Sequence, residues 1–477
     1  MPPELVLALD VGTSSVRAGL FDGSARALPG MEARRSYSVR TTPDGGADFD
    51  AEALFGQVGE AIDELLARSP GGIAAVACCT FWHSLMGVDG AGVPVTPVYT
   101  WGDTRAEPQV GILRQRLDEK AYHARTGAFL HPLFHPAKYL WLGADRAARW
   151  ISFGEFLYLR LFGRAAATIS MASGTGMLDT HACRYDGEAL RVAGVREEQL
   201  SPLVDATDFF RGLREPYGKR WPALQDLPWM PPVGDGACNN LGSGCTTPDR
   251  IAVMIGTSGA MRVVWETPRV EIPPGLWCYR ADRRRVVLGG ALNDGGNLVE
   301  WCRNTLRLGE PEAVERELAA MEPDAHGLTF LPFLAGERST GWAAHARAAV
   351  TGLRLHSKPV EILRAGMEAV ALRFALIHEL LPPAREVVAT GGALLKSPAW
   401  SQMLADALGR PILRCLEPEA SSRGVTLLAL EALGRIRRLE DLPAAYSGTY
   451  EPDPARHAAY RAALARQQDL YGKLVPR

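Results

Sequence analysis

Long apolar runs are missing from this chain. No stretch approaches the roughly 18 consecutive apolar residues of a membrane span. A dominant charge is missing too. Lys and Arg number 52 against 54 Asp and Glu, for a formal net charge of −2. Bulk attraction to nucleic acid or to an anionic membrane surface is thereby excluded. The opening residues MPPELVLALD lack a basic segment and a long apolar core, so no secretory signal is expected. Paired cysteines are lacking. The eight cysteines, Cys78, Cys79, Cys183, Cys238, Cys245, Cys278, Cys302 and Cys415, are scattered and form no C-x-x-C. They read as reduced thiols of a cytoplasmic protein, neither a zinc site nor a disulfide framework. Also absent are G-x-x-x-x-G-K-[ST], G-x-G-x-x-G, G-x-S-x-G and H-E-x-x-H. P-loop NTPase, dinucleotide-fingerprint dehydrogenase, α/β-hydrolase and zincin readings lose their usual support.

What is present is an alternation of strand and helix signals, which points to α/β architecture. The 477 residues suit two large domains or about three of average size. Residues 4–23 read as two strands around a tight turn. Residues 51–68 place Leu54, Phe55, Val58, Ile62, Leu65 and Leu66 at helical spacing. Residues 71–81 form a short apolar run suited to a buried strand. Residues 121–142 and 150–163 are expected to be helical in part, the first interrupted at Pro132 and Pro136. The Pro-rich stretch 202–236 reads as loops leading to a domain boundary. Strand, turn and strand recur at 249–266. A long helix is expected over 361–381, and a strand, Gly-rich turn and helix over 386–409. The expected division is 1–243 and 244–477.

The repeat that matters is a pair of turns, LDVGTSSVR at 9–17 and MIGTSGAMR at 254–262. Each follows an apolar run and opens one half. Glycine permits a sharp bend and close approach of a ligand. Successive turn amides, with Thr and Ser hydroxyls, make an anion-binding concavity. Either turn alone is equally well a plain hairpin; two of them suggest facing phosphate clamps. Asp10 stands where a carboxylate could hold a divalent cation, and Arg17 could offset phosphate charge.

Three further stretches carry polar chemistry. In VGDGACNNLGSG, Asp235 sits between glycines, as a simple turn or as a base facing a substrate hydroxyl. In TFWHSLMGVDGAGVPVTPVYTWGDTRA, Trp82, His83, Asp103 and Arg105 suit a polyhydroxylated ligand, with rings for its apolar face and polar groups for its hydroxyls. Asp103 and Arg105 are equally a surface pair, and His83 equally a core histidine. TGGALLKSP at 390–398 lets backbone lie against a flat ring or a phosphate.

The ordered series resembles the FGGY carbohydrate kinases. It runs LDVGTSSVRAGLFD, FWHSLMGVDGAGVPVTPVYTWGDTRA, KYLWL, GDGACNNLGSG, IGTSGAMR, GGALNDGGNLVEW, TGLRLHSKPVEILRAGMEAV and ATGGALLKSPAWSQMLADALG, nearly end to end. FWHSL and PFLAGERSTGW are most similar to the gluconate kinases of that family. The resemblance implies two actin-like (ribonuclease H-like) ATPase domains facing a central cleft. It implies transfer of the ATP γ-phosphoryl group to a sugar or sugar-acid hydroxyl, with D-gluconate as acceptor and xylulose or glycerol as alternatives.

By the same resemblance, Asp235 is the catalytic base. Gly12, Thr13, Ser14 and Arg17 form the first phosphate loop, with Asp10 near Mg2+. Gly256, Thr257 and Ser258 form the second. Gly296, Gly391, Gly392 and Ala393 lie on the nucleotide side, and Trp82, His83, Asp103 and Arg105 on the substrate side. ATP and Mg2+ are the implied cofactors, a homodimer the implied assembly. A substrate carboxylate would need a cation, for which Arg105, Arg338 and Lys138 are candidates. A chaperone-like actin-fold ATPase and a sugar-sensing pseudokinase are the competing classes.

Overall fold

The computed structural model describes residues 4–475, so Met1, Pro2 and Pro3 of the opening stretch lie outside it. The first sheet is built from β1 (Leu5–Val11), β2 (Ser15–Phe21), β3 (Ala27–Ser36), β4 (Ile73–Thr80) and β5 (Trp229–Gly234), in the order β5-β4-β1-β2-β3. β1–β2 and β2–β3 are antiparallel, whereas β1–β4 and β4–β5 are parallel. Helix α1 (Ala51–Leu66) covers one face. Its Asp50 N-cap accepts from the Ala53 amide, and its apolar stripe, including Leu54, Phe55, Val58 and Ile62, meets Leu5, Leu7 and Leu9. Helix α2 (Asp235–Gly242) follows β5 directly.

The second sheet comprises β6 (Arg250–Ile255), β7 (Gly259–Glu266), β8 (Trp277–Arg280), β9 (Arg285–Leu292), β10 (Glu386–Thr390), β11 (Ile412–Cys415) and β12 (Tyr446–Tyr450), ordered β8-β9-β7-β6-β10-β11-β12. The run β9-β7-β6-β10-β11 repeats the pairing of β3-β2-β1-β4-β5: two antiparallel pairs, then two parallel ones. The duplicated turns thus belong to a duplicated sheet. Helix α3 (Gly296–Thr305) follows β9. Helices α4 (Pro359–Leu380) and α5 (Pro398–Leu408) pack on this sheet through a common core that includes Val370, Phe374, Trp400 and Leu404.

Two expectations need correction. Pro136 does not interrupt a helix but occupies the first turn of His135–Leu142, where no amide donor is missed. Residues 229–234 are not loop. They form the edge strand β5, whose Pro231 and Pro232 fall at a register shift, where the ladder tolerates proline. Cutting the chain at 243/244 separates the two sheets, but helix α6 (Ala420–Ala432) crosses back. Its Val425, Leu427, Leu428 and Leu430 share a core with Val6, Ala8, Ala77 and Leu241 of the first half.

The crossing of α2 and α6 is a backbone contact. A Cβ on Gly242 would lie 1.7 Å from the Ala420 carbonyl oxygen, and one on Gly424 would lie 1.9 Å from that of Cys238. Arg423 adds a 2.7 Å hydrogen bond from Nη1 to the Gly242 carbonyl. Among the described residues, no helix is long and apolar enough to cross a membrane.

Candidate active site

The two Gly-Thr-Ser segments are tight turns closing their hairpins. The Gly12 amide donates to the Ser15 carbonyl and the Gly256 amide to the Ser258 carbonyl, each at 3.0 Å. Thr13 from the first turn and Ser258 from the second line one cavity of about 190 Å3, together with Trp82, His83, Trp101 and Asp235. The hairpins therefore face each other across it.

The second turn is held by the start of α3. The Gly296 amide donates to the Gly256 carbonyl at 2.8 Å and the Asn297 amide to the Thr257 carbonyl at 3.0 Å. A Cβ on Gly296 would sit 2.5 Å from the Gly256 oxygen and 3.0 Å from the Ala393 Cβ. Gly391, at a φ of +88°, would bring a Cβ to 2.5 Å from the Ile255 carbonyl oxygen, while Gly392 faces open space. Gly256, Gly296, Gly391 and Ala393 thus lie close together, with Gly392 beside them. Gly391 needs to be glycine on two counts, its left-handed backbone and its contact.

Asp235 is not on a free turn, as the sequence suggested, but is the first residue of α2. Its Oδ1 accepts from the Gly236 amide at 2.7 Å. Burial, aided by the negative charge of Asp10, pushes its pKa up to about 6, against the opposing pull of Arg262. A carboxyl poised there can accept a proton near neutral pH. The flanking glycines have a steric reason. A Cβ on Gly234 would lie 2.0 Å from the Trp82 ring, and one on Gly236 2.7 Å from it. Trp82 is itself anchored by donation from Nε1 to the Ser170 carbonyl at 3.0 Å. His83 adopts a left-handed backbone, with a φ of 65°. Its Nδ1 lies 2.6 Å from the Gly174 carbonyl, and burial holds the ring below its ordinary pKa. It faces the cavity as a neutral imidazole.

Asp10, next to last in β1, is buried. Arg17 Nη1 is 3.2 Å from its Oδ2, and the Cys79 thiol is 3.4 Å from its Oδ1. Desolvation raises its pKa, and Arg17 works against that. Arg17 also reaches Glu419 at 3.1 Å, ahead of α6. Arg17 thereby ties the first hairpin to the second half of the chain, while its Nε keeps no hydrogen-bond partner.

The placement expected of Asp103 and Arg105 is corrected. Neither lines the cavity. Asp103 is fully buried, accepts from the Ala47 amide at 3.0 Å and pairs with Arg105. Arg105 bonds Asp48 at 2.9 Å and stacks over Tyr99 and Trp141. This network braces the loop that presents Trp101. Lys138 is equally committed, donating at 3.0 Å to the carbonyls of Pro132 and Leu133. Of the three carboxylate candidates, only Arg338 reaches the cavity. Arg262, Trp277, Tyr279 and Trp342, none of them marked as site residues by the motifs, also line it. Arg262 was visible within MIGTSGAMR. As the fourth residue of β7 it shares a face with Ala260, two positions earlier.

Comparison with known proteins agrees with this geometry. Residues 5–242 match the model for the N-terminal domain of the FGGY family of carbohydrate kinases, and residues 251–433 match its C-terminal domain. A gluconokinase of Bacillus subtilis is 28% identical, over 95% of this chain and 92% of the relative. The crystal structure of a gluconate kinase from Lactobacillus acidophilus superposes with a TM-score of 0.91 at 28% identity, covering 99% of both chains. A ligand-bound xylulose kinase from Lactobacillus acidophilus gives a TM-score of 0.92 at 28% identity, again over 99% of both. With two facing hydroxyl-bearing turns, a buried acid between them and both family domains matched in order, the chain belongs to the FGGY family of carbohydrate kinases.

Proposed function

We propose that this enzyme transfers the γ-phosphoryl group of ATP to the 6-hydroxyl of D-gluconate, giving 6-phosphogluconate and ADP. The observation that carries this reading is the shared cavity, onto which Thr13, Ser258 and Asp235 all open. Phosphoryl transfer is chiefly a matter of positioning and charge stabilisation. The two turns, at 12–14 and 256–258, cradle the phosphates with amides and hydroxyls. Asp235 orients the acceptor hydroxyl and takes its proton as the oxygen bonds to the γ-phosphorus. The bond from that phosphorus to the β–γ bridging oxygen breaks, and ADP leaves with its electrons. Trp82 and Trp101 supply apolar faces to the sugar carbons, and neutral His83 offers a ring nitrogen to a hydroxyl. Closure of the two lobes over the cavity excludes water.

The donor set near the first turn fits a divalent ion. Asp10 offers a carboxylate beside the phosphate turn, and a cation there would relieve the repulsion between Asp10 and Asp235. Bound Mg2+ would neutralise phosphate charge, with Asp10 as its protein ligand. Gluconate is favoured over neutral acceptors by the gluconokinase relatives and by Arg338 on the cavity wall.

An ADP-coupled panel of D-gluconate, D-xylulose and glycerol tests the reading. Gluconate is expected to have the highest kcat/KM; preference for either neutral acceptor refutes the assignment. Turnover stimulated by unfolded protein instead of sugar would reassign the chain to the chaperone-like class. A second test concerns Gly234. Since its Cβ would overlap Trp82, Gly234→Ala should displace the ring or Asp235. A shift of about 1 Å at a reacting group can lower the rate roughly 10²-fold. Unchanged kcat/KM with unchanged tryptophan fluorescence would show that the contact has no functional weight.

A further inference from the structure

Two guanidinium groups share the cavity with Asp235, and both hold unpaired donors. Arg262 is 8% exposed, and its Nε and Nη1 meet no hydrogen-bond partner. It packs against the backbone beside the base, where a Cβ on Gly236 would lie 3.3 Å from its Cζ. Arg338 stacks over Trp101 with 5.2 Å between Cζ and ring centroid. It donates from Nη2 to the Leu292 carbonyl at 2.8 Å and leaves Nε unpaired. Burial lowers the pKa of each to about 10, and Arg262 further disfavours the charge on Arg338.

A buried cation without a hydrogen-bonded anion is unfavourable. Asp235 is a nearby anion, but its Oδ1 accepts from the Gly236 amide. Arg17, Arg105 and Lys138 each have protein partners already. Among the described residues that line the cavity, Arg262 and Arg338 are the guanidinium cations, and each keeps a buried donor without a partner. A planar guanidinium suits a carboxylate. Ala260, on the same face of β7, adds only a methyl to this wall.

We propose that Arg262, seconded by Arg338, binds the carboxylate of the acceptor and so selects sugar acids over neutral polyols. This rests on the phosphoryl-transfer reading of the site and adds the residue that sets its substrate class. A neutral acceptor would leave the buried cations unpaired, which is the basis of discrimination.

The test compares kcat/KM for D-gluconate and for its uncharged isostere gluconamide, in the wild type and in Arg262→Met. The wild type should prefer gluconate by about 10²-fold, the scale of a charged hydrogen bond. In Arg262→Met the preference should fall to near unity, mainly through a higher KM for gluconate. Arg262→Gln, which keeps a polar but shorter and uncharged side chain, should give the same collapse and serves if the Met variant does not fold. An unchanged gluconate-to-gluconamide ratio in these variants, with both substrates losing rate together, would overturn the proposal and assign Arg262 to the phosphoryl group. A wild type that prefers xylulose or glycerol to gluconate would instead overturn the underlying assignment of function.

Discussion

Asp235→Asn should abolish most turnover while leaving binding of nucleotide and sugar acid in place. The amide keeps the shape of the carboxylate and cannot take the proton. General-base contributions are on the order of 10²–10⁴-fold, and the loss should fall in kcat, with KM changed little. The wild type should also show an acid limb. With the Asp235 pKa raised to about 6, its base form is present above that pH and is lost as pH falls through it. Activity should therefore decline below about pH 6. Burial is the main cause of the shift and Arg262 opposes it, so Arg262→Met should move the limb to higher pH. Near-normal kcat in Asp235→Asn, measured with isothermal titration of ADP and gluconate as a binding control, would remove Asp235 from the mechanism.

Gly424→Ala should destabilise the protein, although helix propensity alone favours alanine by about 1 kcal/mol. Gly424 lies inside α6, where a Cβ would stand 1.9 Å from the Cys238 carbonyl oxygen and 2.6 Å from its carbon. These are backbone atoms of α2, so no side chain can swing aside. The helices must separate, which opens the core shared by Val425, Leu428 and Leu241. Overpacking of this kind costs about 1–3 kcal/mol or more. Urea unfolding should show a net loss of up to about 2 kcal/mol once the helix gain of about 1 kcal/mol is subtracted. Because α2 begins at Asp235, kcat should fall as well. A stabilised Gly424→Ala protein would show that the crossing is not close-packed in solution.

The turns were legible because their determinants are local. Gly12-Thr13-Ser14 and Gly256-Thr257-Ser258 are turn residues following apolar runs, and the hairpins form where those signals lie. α1 and α4 were legible by periodicity, and β10 with its Gly391 turn by a β-branched run before paired glycines. β5 was obscured by Pro231 and Pro232. Their unfavourable strand propensity is overridden at an edge, where one row of donors is not required.

Charged side chains were read less well, because a residue type does not name its partner. Arg17, Arg105 and Lys138 looked available in the sequence, and each is taken by groups far along the chain or on neighbouring turns: Glu419, Asp48, Pro132 and Leu133. Arg262 carried no separate signal, since an arginine in a strand is as often solvent-facing. Its standing comes from the face of β7 that it shares with Ala260 and from the cavity that face meets.

By itself, the sequence determined the α/β class, the paired turns, the acid between glycines and the family, all set by residues close together or by motifs in fixed order. The tertiary structure alone decided which cations stay free, that α6 returns to the first sheet, and that both turns open on one cavity. Those outcomes depend on which groups the fold buries together, whether near or far along the chain, where burial and pairing, not local propensity, settle the energy.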